Sequence, residues 1–301
     1  MPKAGTGSLY SFLAQHPDIC PSNKKEVGYW NYYNPRRNTG PVPPLGDYLK
    51  HFSGWCDERY AVEATPNYSY GGRPVIEAIR SGLERPRIIL VLRDPVRRLW
   101  SEFTFQRELG NLLQFPSFDD YLEACERRKR DGSDLVPKDH MHGLYIGYYG
   151  DYVPLWLDAF GPDIKVLFTE NLADDPVGVM RDVLRWLEID DEVAERLDLD
   201  PRNPTLHPRS TRLAHLAYSL KKSAERRSRV ARLVRARTVR EPVRRLYHAL
   251  NAGKPPPHML PSTRRHVEQL YAESNAQTRE ALRRHGYDHL PPWLLTAEAS
   301  R

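Results

Sequence analysis

Residues 87–95 read Arg87-Ile88-Ile89-Leu90-Val91-Leu92-Arg93-Asp94-Pro95. A short, unbroken apolar run of this kind marks a strand covered on both faces, as in a parallel sheet. The run stops at Arg93. Asp94 then suits an N-cap and Pro95 the first helical turn, so a helix is predicted over 95–109. A buried strand turning directly into a capped helix predicts an α/β layered fold. It also puts Arg93 at the carboxyl edge of the sheet, where ligands of open α/β sheets collect.

The same alternation extends both ways. Further strands are predicted at 60–64 and 164–168, and helices at 7–14, 74–83, 118–129, 149–160, 176–187 and 262–285, those at 7–14 and 176–187 from apolar residues spaced for one face. Residues 28–57 are aromatic and rich in proline, which reads as loop. The chain has 301 residues, 40% apolar and 28% charged. That is enough for one large α/β domain, taken here as 1–301, with an ample core. No apolar run is long enough for a transmembrane helix, and the first residues lack a signal-peptide core. Cys20, Cys56 and Cys125 are odd in number and far apart. They argue against a disulfide framework or zinc site and for a reducing, cytoplasmic setting.

Net charge is +6, which suits an anionic ligand. The charge is concentrated in a segment at 205–258, where a run from Arg209 to Arg245 is opposed only by Glu225 and Glu241. This is predicted to be a basic helical insertion or lid. Its Leu and Val spacing fits a helical hairpin with a solvated charged face, and no nucleic-acid module is present.

At the other end of the chain, Lys3-Ala4-Gly5-Thr6-Gly7-Ser8 runs straight into the helix at 7–14. A glycine-rich turn exposes successive backbone N–H groups, the helix adds its positive end, and Lys3 adds a full charge. The ATP-type loop needs a lysine after its second glycine. Here the lysine comes first, which disfavours a magnesium-dependent ATPase. Such a loop normally follows a strand, and none precedes it here, so the first strand of the sheet is expected to be missing or replaced. Alone, the segment equally fits a plain turn starting a helix. Arg93 with Ser101, and with Arg97 and Arg98 one turn before that serine, can hold a phosphate monoester. Alone, they equally fit a capped helix bearing surface arginines.

Together these residues resemble the paired signature of sulfotransferases that use 3′-phosphoadenosine-5′-phosphosulfate (PAPS), and most of all their carbohydrate branch, the heparan sulfate sulfotransferases. Lys25-Glu26-Val27 resembles that family's acidic segment. Glu63-Ala64-Thr65-Pro66-Asn67-Tyr68 resembles its E-K-[TS]-P-x-Y segment. Gly147-x-Tyr149 with Trp156-Leu157 resembles its mid-domain helix, and Leu290-Pro291-Pro292-Trp293-Leu294 its closing segment. The resemblance implies a P-loop-like three-layer fold on a central parallel sheet and a metal-free transfer of a sulfuryl group to a hydroxyl or amine of a carbohydrate-containing acceptor. It implies that Lys3, Ala4, Gly5, Thr6, Gly7 and Ser8 bind the 5′-phosphosulfate and that Arg93 and Ser101 bind the 3′-phosphate. It implies Glu26 as general base and Lys3 as the cation on the leaving phosphate. Asn203, Arg209 and Arg212 match its lid loosely. Ala64 stands where the family often has lysine.

His140 and His142 are rival bases, read as surface loop residues. Tyr68, Tyr70, Trp30 and Tyr33 are read as packing residues or as stacking platforms for an acceptor. Two other functions fit the same residues. One is a nucleotide kinase-like phosphoryl transferase, which would bind magnesium-ATP. The other is a non-catalytic anion- or glycan-binding derivative, which would turn over no donor.

Overall fold

The computed structural model describes residues 1–35, 37–38, 40–133, 140–200 and 259–295. The basic segment expected at 205–258, with Asn203, Arg209 and Arg212, lies outside them. In chain order the helices are α1 (Thr6–Leu13), α2 (Leu45–Leu49), α3 (Gly72–Gly82), α4 (Pro95–Glu108), α5 (Phe118–Arg130), α6 (Gly143–Ile146), α7 (Val153–Phe160), α8 (Thr169–Asp174), α9 (Pro176–Trp186), α10 (Pro261–Arg284) and α11 (Pro292–Leu295). The strands are β1 (Ile19–Pro21), β2 (Tyr60–Val62), β3 (Ile88–Leu92) and β4 (Ile164–Phe168).

All strand pairing is parallel. β1 lies beside β2 with Ile19 opposite Tyr60, and β3 lies beside β4 with Ile88 opposite Ile164. The α/β reading therefore holds, but the single central sheet does not. Among the described residues the strands form two separate two-stranded pairs. Residues 2–5 are turns, and no strand is described ahead of α1.

The core explains why β3 reads as it does. Leu90, Val91 and Leu92 are all buried, as are Val166, Leu167 and Phe168 opposite them and Ile164 at the start of β4. Burying each such side chain stabilises by about 1.5–3 kcal/mol. α1, α3, α7 and α9 pack their apolar faces into the same core. A second cluster joins α4, α5, α6 and α10. α4 starts where the sequence indicates: Asp94 Oδ1 accepts from the N–H of Val96 (2.9 Å) and of Arg97 (3.3 Å). Such a cap contributes about 1 kcal/mol.

α6 is held against α10 by Tyr271, which is fully buried and donates from its hydroxyl to the Leu144 carbonyl at 2.8 Å. Gly147 follows α6, and a Cβ there would land on the Tyr271 phenol ring and oxygen. We therefore expect Gly147→Ala to cost about 1–3 kcal/mol, as overpacking of a tight core does. A denaturant titration showing no loss would mean that the α6–α10 contact is looser than described.

Candidate active site

The loop at residues 3–8 lies over the carboxyl ends of β3 and β4. The Thr169 hydroxyl, just beyond β4, sits between the carbonyls of Ala4 (2.8 Å) and Leu92 (3.0 Å) and can donate to either. Ala4 itself is fully buried. Gly5 is the N-cap of α1 with φ 85°, a left-handed conformation that a side chain disfavours. Ser8 and Leu9 N–H both turn back to the Gly5 carbonyl, at 3.0 and 3.1 Å. The N–H groups of Thr6 and Gly7 open α1, where no intrahelical acceptor exists. These donors, at the positive end of an eight-residue helix, suit an anion.

Arg93 reaches this loop directly. Its Nη1 donates to the Lys3 carbonyl at 2.9 Å, so the two predicted phosphate elements, ninety residues apart in sequence, meet. The Tyr149 hydroxyl donates to the Arg93 carbonyl at 2.8 Å and fixes the backbone from below. Glu170 accepts from the Asp94 N–H through Oε1 at 3.0 Å, and its buried Oε2 has no hydrogen-bond partner among the described residues. Burial pulls the Arg93 guanidinium below its ordinary pKa, and Glu170 is the foremost group opposing that. Ser101 stands two turns into α4, partly exposed.

Arg97 and Arg98 part company. Arg97 is exposed and lies 3.7 Å from Asp94. Arg98 is fully buried and donates from Nη2 to the Gly143 carbonyl, while its Nε and Nη1 find no partner among the described residues. It is a structural cation enclosed by Tyr149, Tyr152, Tyr271 and Glu102. The surface-arginine reading is corrected for Arg98, which falls on the apolar stripe of α4 with Leu99 and Phe103.

Glu26 sits on an exposed turn, its carboxylate 2.6 Å from Lys25 Nζ. The segment carrying it is pinned from one side. Ala64 N–H donates to the Lys25 carbonyl (2.9 Å), Gly28 N–H donates to Thr65 Oγ1 (3.0 Å), and Thr65 Oγ1 donates to Glu63 Oε2 (2.8 Å). Trp30 N–H reaches the Tyr68 hydroxyl at 3.4 Å. The Glu63-Ala64-Thr65 stretch therefore shapes the Glu26 turn mainly through backbone and hydroxyl contacts, which do not need a lysine at position 64. Burial pushes the Glu63 carboxyl above its ordinary pKa, and its Oε1 is without a partner among the described residues. The α-amino group of Met1 senses Lys25, Arg98 and Glu26, so the start of the loop, the Glu26 turn and α4 share one neighbourhood.

His142 is not a surface residue. Burial lowers its pKa to about 4, with Glu102 opposing, so the ring is neutral near pH 7. It lies 6.4 Å, centroid to centroid, from Tyr70, whose hydroxyl accepts from Arg37 Nη1 at 2.6 Å. Tyr70 is buried and its pKa is pushed up to about 12. Trp30 is buried among Tyr29, Tyr33 and Tyr48 and serves packing. Sequence reasoning missed Glu102, a carboxylate only 6% exposed that acts on Lys3, Arg98 and His142 together. Its place in α4, four residues after Arg98, was the available signal.

The sulfotransferase domain family matches residues 76–202, which hold Arg93 and Ser101. The chain is 28% identical over 195 residues to the human bifunctional heparan sulfate N-deacetylase/N-sulfotransferase 3, covering 62% of this chain and 21% of that protein. It is 28% identical over 187 residues to the mouse heparan sulfate glucosamine 3-O-sulfotransferase 3A1, covering 62% and 43%. It is 32% identical over 141 residues to the membrane-associated sulfotransferase kil1 of Dictyostelium discoideum, covering 46% and 28%. The chain thus spans less than half the length of these relatives. A sulfotransferase from Alicyclobacillus acidocaldarius has the same fold, with a TM-score of 0.63 at 22% identity over 97% of this chain and 94% of that one. No described helix is long and apolar enough to cross a membrane. The resemblance to the sulfotransferase family and its heparan sulfate branch is borne out by these matches.

Proposed function

We propose that this chain, similar to heparan sulfate sulfotransferases over 62% of its length, moves a sulfuryl group from PAPS to a hydroxyl or amine of a carbohydrate-containing acceptor. The observation that carries the proposal is the Arg93–Lys3 contact, which gathers two anion-binding elements at one sheet edge. A donor with phosphate at two positions fits that pairing of donor groups. The loop offers N–H groups at a helix start, and Arg93 offers a planar fork suited to phosphate oxygens.

In this reading Glu26 takes the proton as the acceptor O–H or N–H bond breaks. The acceptor atom gains a bond to sulfur as the sulfur–phosphate oxygen bond breaks, and the electron pair leaves on the nucleotide. Lys3, with the N–H groups of Thr6 and Gly7, stabilises that charge. Ala4, Gly5 and Ser8 complete the loop. Arg93 and Ser101 hold the 3′-phosphate, and Arg209 and Arg212, outside the described residues, are further contacts to the donor in this proposal. The scheme calls on no metal. The single-domain organisation of 1–301, with 205–258 as an insertion, and a cytoplasmic setting for its three free thiols belong to the same proposal.

The test is transfer of ³⁵S from labelled PAPS across a panel of glucosamine-containing polysaccharides and simple glycosides. Labelled acceptor that depends on the protein is expected. Donor binding without label in any acceptor would favour the non-catalytic derivative.

A further inference from the structure

Lys3 reaches with its side chain from the loop to α4. Its backbone is left-handed, with φ 61°, and its Nζ lies 3.8 Å from the centroid of the Phe105 ring. Phe105 is in the middle of α4. Glu102 is one turn before it and Glu108 one turn after, so all three fall on one stripe of the helix. Glu102 is buried and held in place: Gln106 Nε2 donates to its Oε1 at 2.7 Å, and Asn111 Nδ2 donates to Gln106 Oε1 at 2.8 Å. Ser101, one turn before Phe105, lies on the face of α4 that carries Phe105 and Glu108.

The Arg93 guanidinium, bonded to the Lys3 carbonyl, is near enough to the Lys3 ammonium to lower its pKa before any anion arrives. Like charges at a half-buried site repel. Carboxylate charge opposes this, from Glu170 at Arg93 and from Glu102 and Glu108 at Lys3. An aromatic face attracts an ammonium placed above it. We propose that Phe105 and Glu102 form a seat that positions Lys3 beside Arg93, so that the donor meets a pre-assembled pair of cations. Both are positioning residues acting through Lys3, and the proposal rests on the sulfotransferase reading above. A long, mobile lysine held in its working place before binding loses less freedom when the ligand arrives.

Burial lowers the Lys3 pKa, Glu102 and Glu108 oppose this, and Arg93 adds to it. Removing the Glu102 charge therefore moves deprotonation of Lys3 to lower pH, and nucleotide affinity should begin to fall at lower pH.

The experiment measures affinity for adenosine 3′,5′-bisphosphate in a mutant cycle of the full chain. E102Q and F105L should each weaken binding roughly tenfold, a common coupling for residues in contact. E102Q should also bring the alkaline loss of affinity to lower pH. In a Lys3→Ala background neither substitution should weaken binding further. Equal losses with and without Lys3 would overturn the seat. A second readout needs no nucleotide. Acetic anhydride labelling of the free protein, followed by mass spectrometry, should modify Lys3 several-fold faster in both variants than in the parent, relative to exposed Lys50. Unchanged Lys3 labelling overturns the seat. Faster labelling in a protein that does not bind the bisphosphate upholds the seat and overturns the donor assignment.

Discussion

Replacing Glu26 by glutamine leaves bisphosphate affinity unchanged and lowers turnover with a productive acceptor by about 10²–10⁴-fold, the usual contribution of a positioned general base. The side chains are isosteric, and the turn bearing Glu26 is fixed by contacts at Lys25, Gly28 and Trp30 that do not involve its carboxylate. Its one described partner, Lys25, forms an ion pair with side chains 32% and 51% exposed. Pairs so exposed contribute at most about 1 kcal/mol, so unfolding should be nearly unaffected. The informative comparison is the rate of ³⁵S transfer set beside nucleotide affinity in the same preparation. A variant with full rate removes Glu26 from the mechanism and turns attention to neutral His142, the half-buried alternative.

Arg93→Ala is the second large effect, and it acts on binding. The guanidinium is the link between loop and sheet edge, and its loss strands the Lys3 carbonyl and leaves Glu170 without its cation. Truncating one partner of a hydrogen-bonded charge pair costs about 2–5 kcal/mol, or roughly 30- to several-thousand-fold in affinity. A fall in stability of about 1–3 kcal/mol should accompany it, from the polar group left unmet. Arg93→Lys separates the two effects. It restores a charge and part of the stability, but a point charge lacks the planar fork and should recover little affinity. Calorimetric titration beside thermal melts reads both quantities. Undiminished affinity in Arg93→Ala would remove this residue from the nucleotide site.

How much of this was legible follows from where each signal resides. β3 could be read because its burial on both faces leaves an unbroken apolar run, whereas β4 carries Lys165 among its apolar residues. α4 could be read because its cap, Asp94-Pro95, is local chemistry. β1 was missed: Ile19-Cys20-Pro21 is too short to show a period and ends in proline, and it is a strand only because Tyr60–Val62 lies alongside. The division of the sheet into two pairs depends on spatial neighbours and has no local signature. The loop and Arg93 were legible as anion-binding elements, but their meeting at Lys3 O depends on β4 and Thr169, far along the chain.

Arg98 and His142 show the opposite failure. Arg98 resembles a second surface arginine until Gly143 is placed against it, where an added Cβ would strike the Tyr121 hydroxyl and press on Leu99 and Glu102. His142 resembles a loop residue until Tyr70 and Glu102 enclose it. In both, burial is decided by residues distant in sequence. Ala64 was counted as a departure from the family pattern. Its backbone N–H holds Lys25, a contact that any residue but proline supplies.

The central claim is that one pocket clasps an adenosine carrier at two phosphates, through the loop at 3–8 and through Arg93 with Ser101. Isothermal titration of the unmodified protein with adenosine 3′,5′-bisphosphate, run beside magnesium-ATP, addresses it most directly. The account predicts saturable one-to-one binding of the bisphosphate, weakened by Lys3→Ala and by Arg93→Ala, and much weaker binding of magnesium-ATP. Tight binding of magnesium-ATP with indifference to the bisphosphate would contradict it and favour phosphoryl transfer.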